Sequence, residues 1–159
     1  MAEFLQNIVK KSPWIYRINA GSCNGCDVEM ATTALIPRYD VERLGCKYCG
    51  SPKHADIVLI SGPVTAVVKD KVLRVYDEIP NPKVVVAVGI CPISGGVFRD
   101  SYSIENQLDA YIPVDVNVPG CPPRPQAIID GIAMAIEIDR KSTRLNSSHS
   151  DRSRMPSSA

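Results

Sequence analysis

Four short apolar runs, rich in β-branched residues and each the length of a buried strand, constrain the fold of this chain more than any other feature. They lie at residues 14–19, 56–61, 83–88 and 114–118. Helical patterns follow three of the four, at 27–35, 65–79 and 124–138, and a further helix is possible at 104–110. Near-continuous hydrophobic strands separated by helices are typical of parallel sheets that are covered on both faces. The sequence therefore predicts an α/β protein with a mostly parallel sheet.

Chain length and composition predict one domain around that sheet. The chain has 159 residues, of which 45% are hydrophobic, and this is enough for a single core. We expect an N-terminal arm at 1–12 and a flavodoxin-like, doubly wound domain at 13–139, with helices on both faces of the sheet. The segment 140–159 is rich in Ser and Arg and loses the apolar periodicity. We expect it to be disordered and non-native, derived from a vector or from sequence assembly.

Composition also limits which cellular compartment and which classes of partner are expected. No apolar run approaches the roughly 20 residues that span a bilayer, and the N-terminus lacks the apolar core of a secretory signal. An intracellular protein is therefore expected. The net charge is +1, of which +4 lies from Arg140 onward, so residues 1–139 carry −3. That sign argues against a nucleic-acid partner, which would require clustered Lys and Arg.

Six cysteines in an intracellular chain indicate metal binding or redox chemistry, because structural disulfides are rare in the cytosol. Cys23 and Cys26 follow the first predicted strand, Cys91 the third and Cys121 the fourth. The carboxyl ends of parallel strands meet at one edge of the sheet, where such folds bind their ligands. Four thiolates are what one 4Fe-4S cluster requires. This pattern favours an electron-transfer site.

Two other readings of the cysteines remain open from the sequence. Cys23, Cys26, Cys46 and Cys49 have the spacing of a structural zinc site, because two C-x-x-C pairs are separated by a suitable interval. Cys23 and Cys26 alone have the local setting of a thioredoxin-like dithiol. Both readings leave Cys91 and Cys121 without a role.

Several separated motifs together resemble one family. They are CNGCDVE, PRYDVERLGCKYCGSPKHADI, SGPVT, GICPISGGVF and PGCPPRP, and the resemblance covers residues 13–138. The chain resembles the small subunit of energy-converting, membrane-bound group 4 nickel-iron hydrogenases of the Ech, Mbh and formate-hydrogenlyase kind. That family is related to the cluster-bearing small subunit of respiratory complex I. The complex I subunits carry two adjacent cysteines where this chain has C-x-x-C, and this difference favours the hydrogenase branch.

The resemblance implies an oxidoreductase subunit that is not catalytic alone. Cys23, Cys26, Cys91 and Cys121 would bind the 4Fe-4S cluster, and a separate large subunit would hold the nickel-iron site. Electrons would pass between a ferredoxin-like subunit and that site for proton reduction or hydrogen oxidation, which membrane subunits would couple to ion translocation. The chain would lie peripherally on the cytoplasmic side of the membrane. A complex I-like subunit for quinone or sulfur reduction is the alternative.

Three further residues carry a second interpretation. Glu29 occupies a family position close to the cluster and to the large-subunit interface, where a carboxylate could relay protons or anchor the partner. It could equally be a helix first-turn acid, which the helix dipole favours. Cys46 and Cys49 match no ligand of the family. They could form an accessory metal site or a redox pair, or simply pack as small hydrophobic side chains.

Overall fold

A parallel five-stranded sheet organises the chain in the computed structural model, which describes residues 12–105 and 107–152. The strands are β1 (Trp14–Asn19), β2 (Lys47–Tyr48), β3 (Ile57–Ser61), β4 (Val84–Val88) and β5 (Val116–Val118). The helices are α1 (Gly25–Leu35), α2 (Lys69–Glu78), α3 (Ile90–Ser94) and α4 (Pro125–Arg152). The strand order β2-β1-β3-β4-β5 is that of the flavodoxin-like doubly wound fold. The predicted fold class is confirmed.

Two apolar cores cover the two faces of the sheet, because successive side chains of a strand point to opposite sides. In β3, Ile57 and Leu59 join the core beneath α1 and α4, whereas Val58 and Ile60 join the core beneath α2. Every residue of β3 and β4 is buried. This explains why the central strands read as unbroken apolar runs instead of alternating ones.

The strand register aligns the carboxyl ends of four strands in one row. Asn19 of β1 pairs with Ser61 of β3, which pairs with Val88 of β4, which pairs with Val118 of β5. The loops that follow these four residues therefore open at the same edge of the sheet, called the carboxyl edge from here on.

The sequence prediction missed one strand and one short helix, and it misjudged another helix. The missed helix is α3, so Cys91 lies in a helical turn and not in the expected loop, because the five residues between Gly89 and Gly95 are too few to show a helical period. β2 comprises only Lys47 and Tyr48, too short to give an alternating pattern, and it pairs with the start of β1. In the segment predicted as a possible helix at 104–110, the structure has a single 3-10 turn, Leu108–Ala110. An antiparallel bridge between Thr65 and Ile104 holds the start of that segment in an extended conformation.

The last helix is longer than predicted. α4 continues past the predicted end at residue 138 to Arg152, so helical backbone extends into the segment for which disorder was expected. No Gly or Pro interrupts the chain between Gly131 and Pro156, and nothing in the sequence therefore breaks the helix before Arg152. Residues 1–11 and 153–159 lie outside the described residues, as does most of the proposed N-terminal arm. The non-native origin of the tail stays a prediction.

Candidate metal centre

Three loops of the carboxyl edge bring the four predicted ligands to one side of the sheet. Cys91 is the third residue after the end of β4 and lies in the first turn of α3, and Cys121 lies in a loop as the third residue after the end of β5. Cys23 lies in the loop after β1, and Cys26 lies in the first turn of α1. Because those strands end in register, the four thiols are neighbours in space although nearly a hundred residues separate the first from the last.

Backbone hydrogen bonds join the two segments that carry a single cysteine, the start of α3 and the loop after β5. The Gly89 N–H donates to Val118 O at 2.9 Å, and the Ile90 N–H donates to Gly120 O at 2.8 Å. These bonds continue the β4–β5 ladder beyond the strands themselves. They fix the chain on either side of Cys91 and Cys121 in a common frame.

Gly89 sits where a side chain would collide with a candidate ligand. A Cβ atom added to it would lie 2.6 Å from Cys26 Sγ, and its φ of +94° is one that residues with side chains rarely adopt. The Cys26 sulfur therefore packs directly on the backbone that leads to Cys91. On the other side, the added Cβ of Gly25 would lie 3.6 Å from Cys23 Sγ and 3.9 Å from the Pro122 ring, so the first cysteine pair also borders the Cys121 loop.

The electrostatics of the four thiols reflect this convergence. The pKa of Cys26 is raised to about 11. Burial is the largest cause, and the nearby Cys91, Cys23 and Cys121 and then Asp27 also raise this pKa. Burial also raises the pKa of Cys91, with contributions from Cys121 and Cys23. Cys26 is 7% exposed, Cys91 is half-buried, and Cys23 and Cys121 are exposed. The site thus runs from the protein interior to an open surface.

The four cysteines match a 4Fe-4S cluster in donor type and number, because such a cluster takes one thiolate at each of four irons. Within the described residues, no group of three or more His, Cys, Asp or Glu side chains is arranged to hold a metal ion. The match therefore rests on residue type and on the convergence of three segments at the carboxyl edge.

The second C-x-x-C pair lies elsewhere. β2, which separates Cys46 from Cys49, pairs with Trp14 and Ile15 at the amino-terminal end of β1. The carboxyl end of β1 is four residues further on, roughly 13 Å along a strand. Cys46 is 3% exposed in the core beneath α1, whereas Cys49 packs against the opposite core. The two side chains therefore lie on opposite faces of the sheet, and this argues against the zinc set Cys23, Cys26, Cys46 and Cys49.

Sequence reasoning missed a buried polar network beside the candidate ligands. Asp27, directly after Cys26, is 6% exposed and accepts hydrogen bonds from Ser61 Oγ at 2.9 Å and Asn19 Nδ2 at 2.7 Å. Asn19 and Ser61 are the paired last residues of β1 and β3. A signal was present: two of the four apolar strand runs, 14–19 and 56–61, end in a polar residue at the edge where the cysteines gather.

Glu29 and several apolar side chains lie around the site. Glu29 is half-buried on α1 and forms no hydrogen bond or ion pair with the other described residues. Apolar side chains are exposed on α1 and in the loops of the carboxyl edge, namely Val28, Val67, Val97, Phe98 and Tyr102. No helix in the described part of the chain has both the length and the apolar character needed to cross a membrane.

Comparison with known proteins identifies the family of the chain. The family model described as NADH ubiquinone oxidoreductase, 20 Kd subunit, matches residues 23–135. The chain is 53% identical over 133 residues to the probable membrane-bound hydrogenase subunit mbhJ of Pyrococcus furiosus, covering 84% of this chain and 79% of that protein. It is 44% identical over 128 residues to formate hydrogenlyase subunit 7 of Escherichia coli, covering 80% of this chain but only 50% of that protein.

A solved structure extends the comparison to three dimensions. A chain of the membrane-bound sulfane sulfur reductase, an archaeal respiratory membrane complex, superposes with a TM-score of 0.73 at 40% identity, covering 89% of this chain and 77% of that chain. The resemblance to hydrogenase small subunits and their complex I relatives is thereby confirmed. The chain belongs to the family of the 20 kDa subunit of NADH ubiquinone oxidoreductase, and it is a subunit of an oxidoreductase complex.

Proposed function

We propose that this chain is an electron-transfer subunit that binds one 4Fe-4S cluster through Cys23, Cys26, Cys91 and Cys121. The observation that carries the proposal is the strand register, because the three strands before the cysteine loops end in one row. When bound, the cluster supplies a one-electron carrier whose thiolate ligands stay in place in both oxidation states. No catalytic bond to a substrate is required of this chain.

The protein side chains hold the proposed group and orient it toward a partner. Buried Cys26 anchors it from the interior, where Gly89 leaves room for the sulfur. Exposed Cys23 and Cys121 lie at the open side, where a partner subunit can approach within electron-transfer distance. Exposed Val97 and Phe98 add apolar surface at the same edge, and such surface is typical of an interaction site.

The partners of the proposal follow from the relatives. The Pyrococcus furiosus protein is named as a membrane-bound hydrogenase subunit, and the Escherichia coli protein belongs to formate hydrogenlyase. Electrons would pass between a ferredoxin-like iron-sulfur subunit and the nickel-iron site of a hydrogenase-like large subunit, where protons are reduced or hydrogen is oxidised. Membrane subunits would couple this reaction to ion translocation. This chain would be held peripherally on the cytoplasmic side of the membrane by those partners.

Metal analysis of the full chain tests the proposed site. After anaerobic purification we expect about four irons and four sulfides per chain, with broad visible absorption. One zinc per chain without colour would contradict the proposal and support the zinc module. The function is then tested on the complex isolated with its neighbouring subunits, which should reduce a viologen dye with hydrogen.

A second function is favoured by one observation, the likeness to the sulfane sulfur reductase chain at 40% identity. In that alternative the subunit would serve a complex I-like oxidoreductase that reduces sulfur or a quinone. The same isolated complex distinguishes the two, since it would reduce sulfane sulfur or a quinone and would not oxidise hydrogen. The large-subunit sequence gives an independent answer, because nickel binding requires two C-x-x-C motifs there.

Glu29 is proposed to relay protons or to anchor the large subunit. Its carboxylate is half-buried one helical turn beyond Cys26, and it has no ion-pair partner among the described residues. A Glu29→Gln variant of the complex should keep its iron content. Slower proton reduction with intact subunit association would indicate a relay, whereas loss of the large subunit on gel filtration would indicate an anchor.

A further inference from the structure

A buried carboxylate lies directly behind the candidate ligands. Asp27 is 6% exposed, and two strands, β1 and β3, surround it with donors. Ser61 Oγ of β3 donates to its Oδ1 at 2.9 Å, and Asn19 Nδ2 of β1 donates to its Oδ2 at 2.7 Å. The Arg17 guanidinium is 3.6 Å from Oδ1. An environment of donors and one cation is suited to a negatively charged carboxylate.

The position of that charge is fixed by the loop it supports. The other amide atom of Asn19, Oδ1, accepts the N–H groups of Gly21 and Ser22, both at 2.8 Å. The Asn19 amide therefore cannot turn over without breaking both bonds, and its Nδ2 stays aimed at Asp27. The same asparagine thus shapes the loop that leads to Cys23 and holds the carboxylate beneath it.

The charge of Asp27 is only partly compensated. Its cationic neighbour Arg17 has a side chain that is 47% exposed, so water screens the guanidinium more than it screens the carboxylate. The carboxylate lies close to a proposed ligand, because Asp27 directly follows Cys26 in the first turn of α1 and both side chains are buried. Asp27 therefore places a negative charge beside Cys26 that its neighbours offset only in part.

We propose that Asp27 sets the reduction potential of the iron-sulfur group by holding a fixed negative charge next to Cys26. The inference rests on the proposed function, because it requires the group to be bound. Reduction adds one electron from a ferredoxin-like donor, and no protein bond forms or breaks. A neighbouring carboxylate disfavours that added negative charge, and the potential is therefore lower than the four thiolates alone would give.

The test compares the full chain with its Asp27→Asn variant, both loaded anaerobically with iron and sulfide. The asparagine fits because its oxygen can accept from Asn19 while its nitrogen donates to Ser61, whose hydroxyl can also accept. A redox titration followed by visible absorption and electron paramagnetic resonance should show a higher potential. We expect the reduced form to be favoured roughly tenfold, which is about 59 mV for a one-electron couple.

The matched control is Glu78→Gln, which removes one exposed carboxylate at the end of α2. Because α2 runs back from the carboxyl edge, Glu78 lies at the far side of the sheet, and the potential should not change. An Asp27→Asn protein that keeps its iron and sulfide but has the potential of the wild-type protein would overturn the inference and leave the proposed function standing. A wild-type chain that binds no iron and sulfide would overturn both.

If Asp27→Asn fails to bind the iron-sulfur group, a second variant tests the inference. Ser61→Ala removes a neutral donor to the carboxylate and leaves the net charge of the chain unchanged. The charge of Asp27 is then less offset, and the potential should fall, which is the direction opposite to that of Asp27→Asn. An unchanged or higher potential in Ser61→Ala would overturn the inference.

Discussion

The two C-x-x-C pairs of this chain have the same spacing but lie at opposite ends of β1. Cys23 and Cys26 follow the carboxyl end of β1, where they meet Cys91 and Cys121. Cys46 and Cys49 flank β2 at the amino-terminal end of β1, one on each face of the sheet.

The difference shows that spacing alone does not define a metal site. A pair on a loop and a helix turn can direct both sulfurs to one point. A pair that flanks an extended strand directs them apart, because alternate strand residues face opposite sides. The first pair therefore belongs to a candidate centre, and the second pair belongs to the packing of the sheet edge.

The largest expected effect comes from replacing Cys91, a proposed ligand that lies near the first cysteine pair and far from the second. Cys91→Ser should reduce the iron and sulfide content from about four each to nearly none, because one iron loses its thiolate. Cys49→Ser, the matched change in the second pair, should leave both contents unchanged. Iron and acid-labile sulfide analysis after anaerobic purification measures this. Loss of metal from Cys49→Ser with retention in Cys91→Ser would reverse the comparison.

The next effect concerns space at the centre. Gly89→Ala places a methyl group 2.6 Å from the Cys26 sulfur at a φ of +94°, and we expect incomplete cluster loading and a loss of stability of about 1–3 kcal/mol. The control is Gly50→Ala beside the second pair, where an added Cβ would meet nothing within 4 Å. Iron content and denaturant unfolding of the two variants should differ clearly. Equal behaviour would contradict the close packing of Cys26 on Gly89.

A smaller effect is expected from the buried cysteine of the second pair. Cys46→Ser places a hydroxyl in an apolar core and should lower the free energy of unfolding by about 1–3 kcal/mol without affecting iron content. Cys49→Ser should cost less than Cys46→Ser, because Cys49 is half-buried and its Sγ already donates to Ser51 O, a bond that a hydroxyl can replace. Urea unfolding measures both. A cluster lost with Cys46→Ser would show that the second pair is linked to the centre.

The smallest effect tests the contact between the second pair and α1. Tyr48 lies in β2 between the two cysteines, and its hydroxyl oxygen Oη is 3.1 Å from Thr33 Oγ1. The Thr33 hydroxyl itself donates to Met30 O. Tyr48→Phe should remove one hydrogen bond and about 1 kcal/mol of stability, while Thr33 keeps its backbone partner. Thermal unfolding measures the change. A shift in the reduction potential of the bound group would show that β2 influences the centre through α1.

Parts of this molecule were predictable because local sequence determines them. The apolar run at 83–88 predicts a buried strand, and the structure forms β4 within it. The glycine and proline residues around Cys121 predict a loop, and Cys121 lies in one. β2 was not predictable, because two residues carry no periodicity and its pairing with β1 is a long-range contact.

The sequence predicted which cysteines gather at the carboxyl edge but not which polar residues surround them. Strand ends located four of the six cysteines at one edge, and the register agrees with that placement. The Asp27 network was missed, because its hydrogen bonds join residues from β1, β3 and α1 that are far apart in the chain. Hydrophobic periodicity marks which side chains are buried, but it does not reveal which buried polar groups meet.

The sequence by itself determined the parallel sheet, the family and the four cysteines that gather at the ends of its strands, because strand period and loop position are local properties. Only the tertiary structure decided that Cys46 and Cys49 face opposite cores, and that Asp27 lies buried among Ser61, Asn19 and Arg17. Both outcomes depend on register and packing between distant segments. Such contacts form only when the whole sheet is assembled.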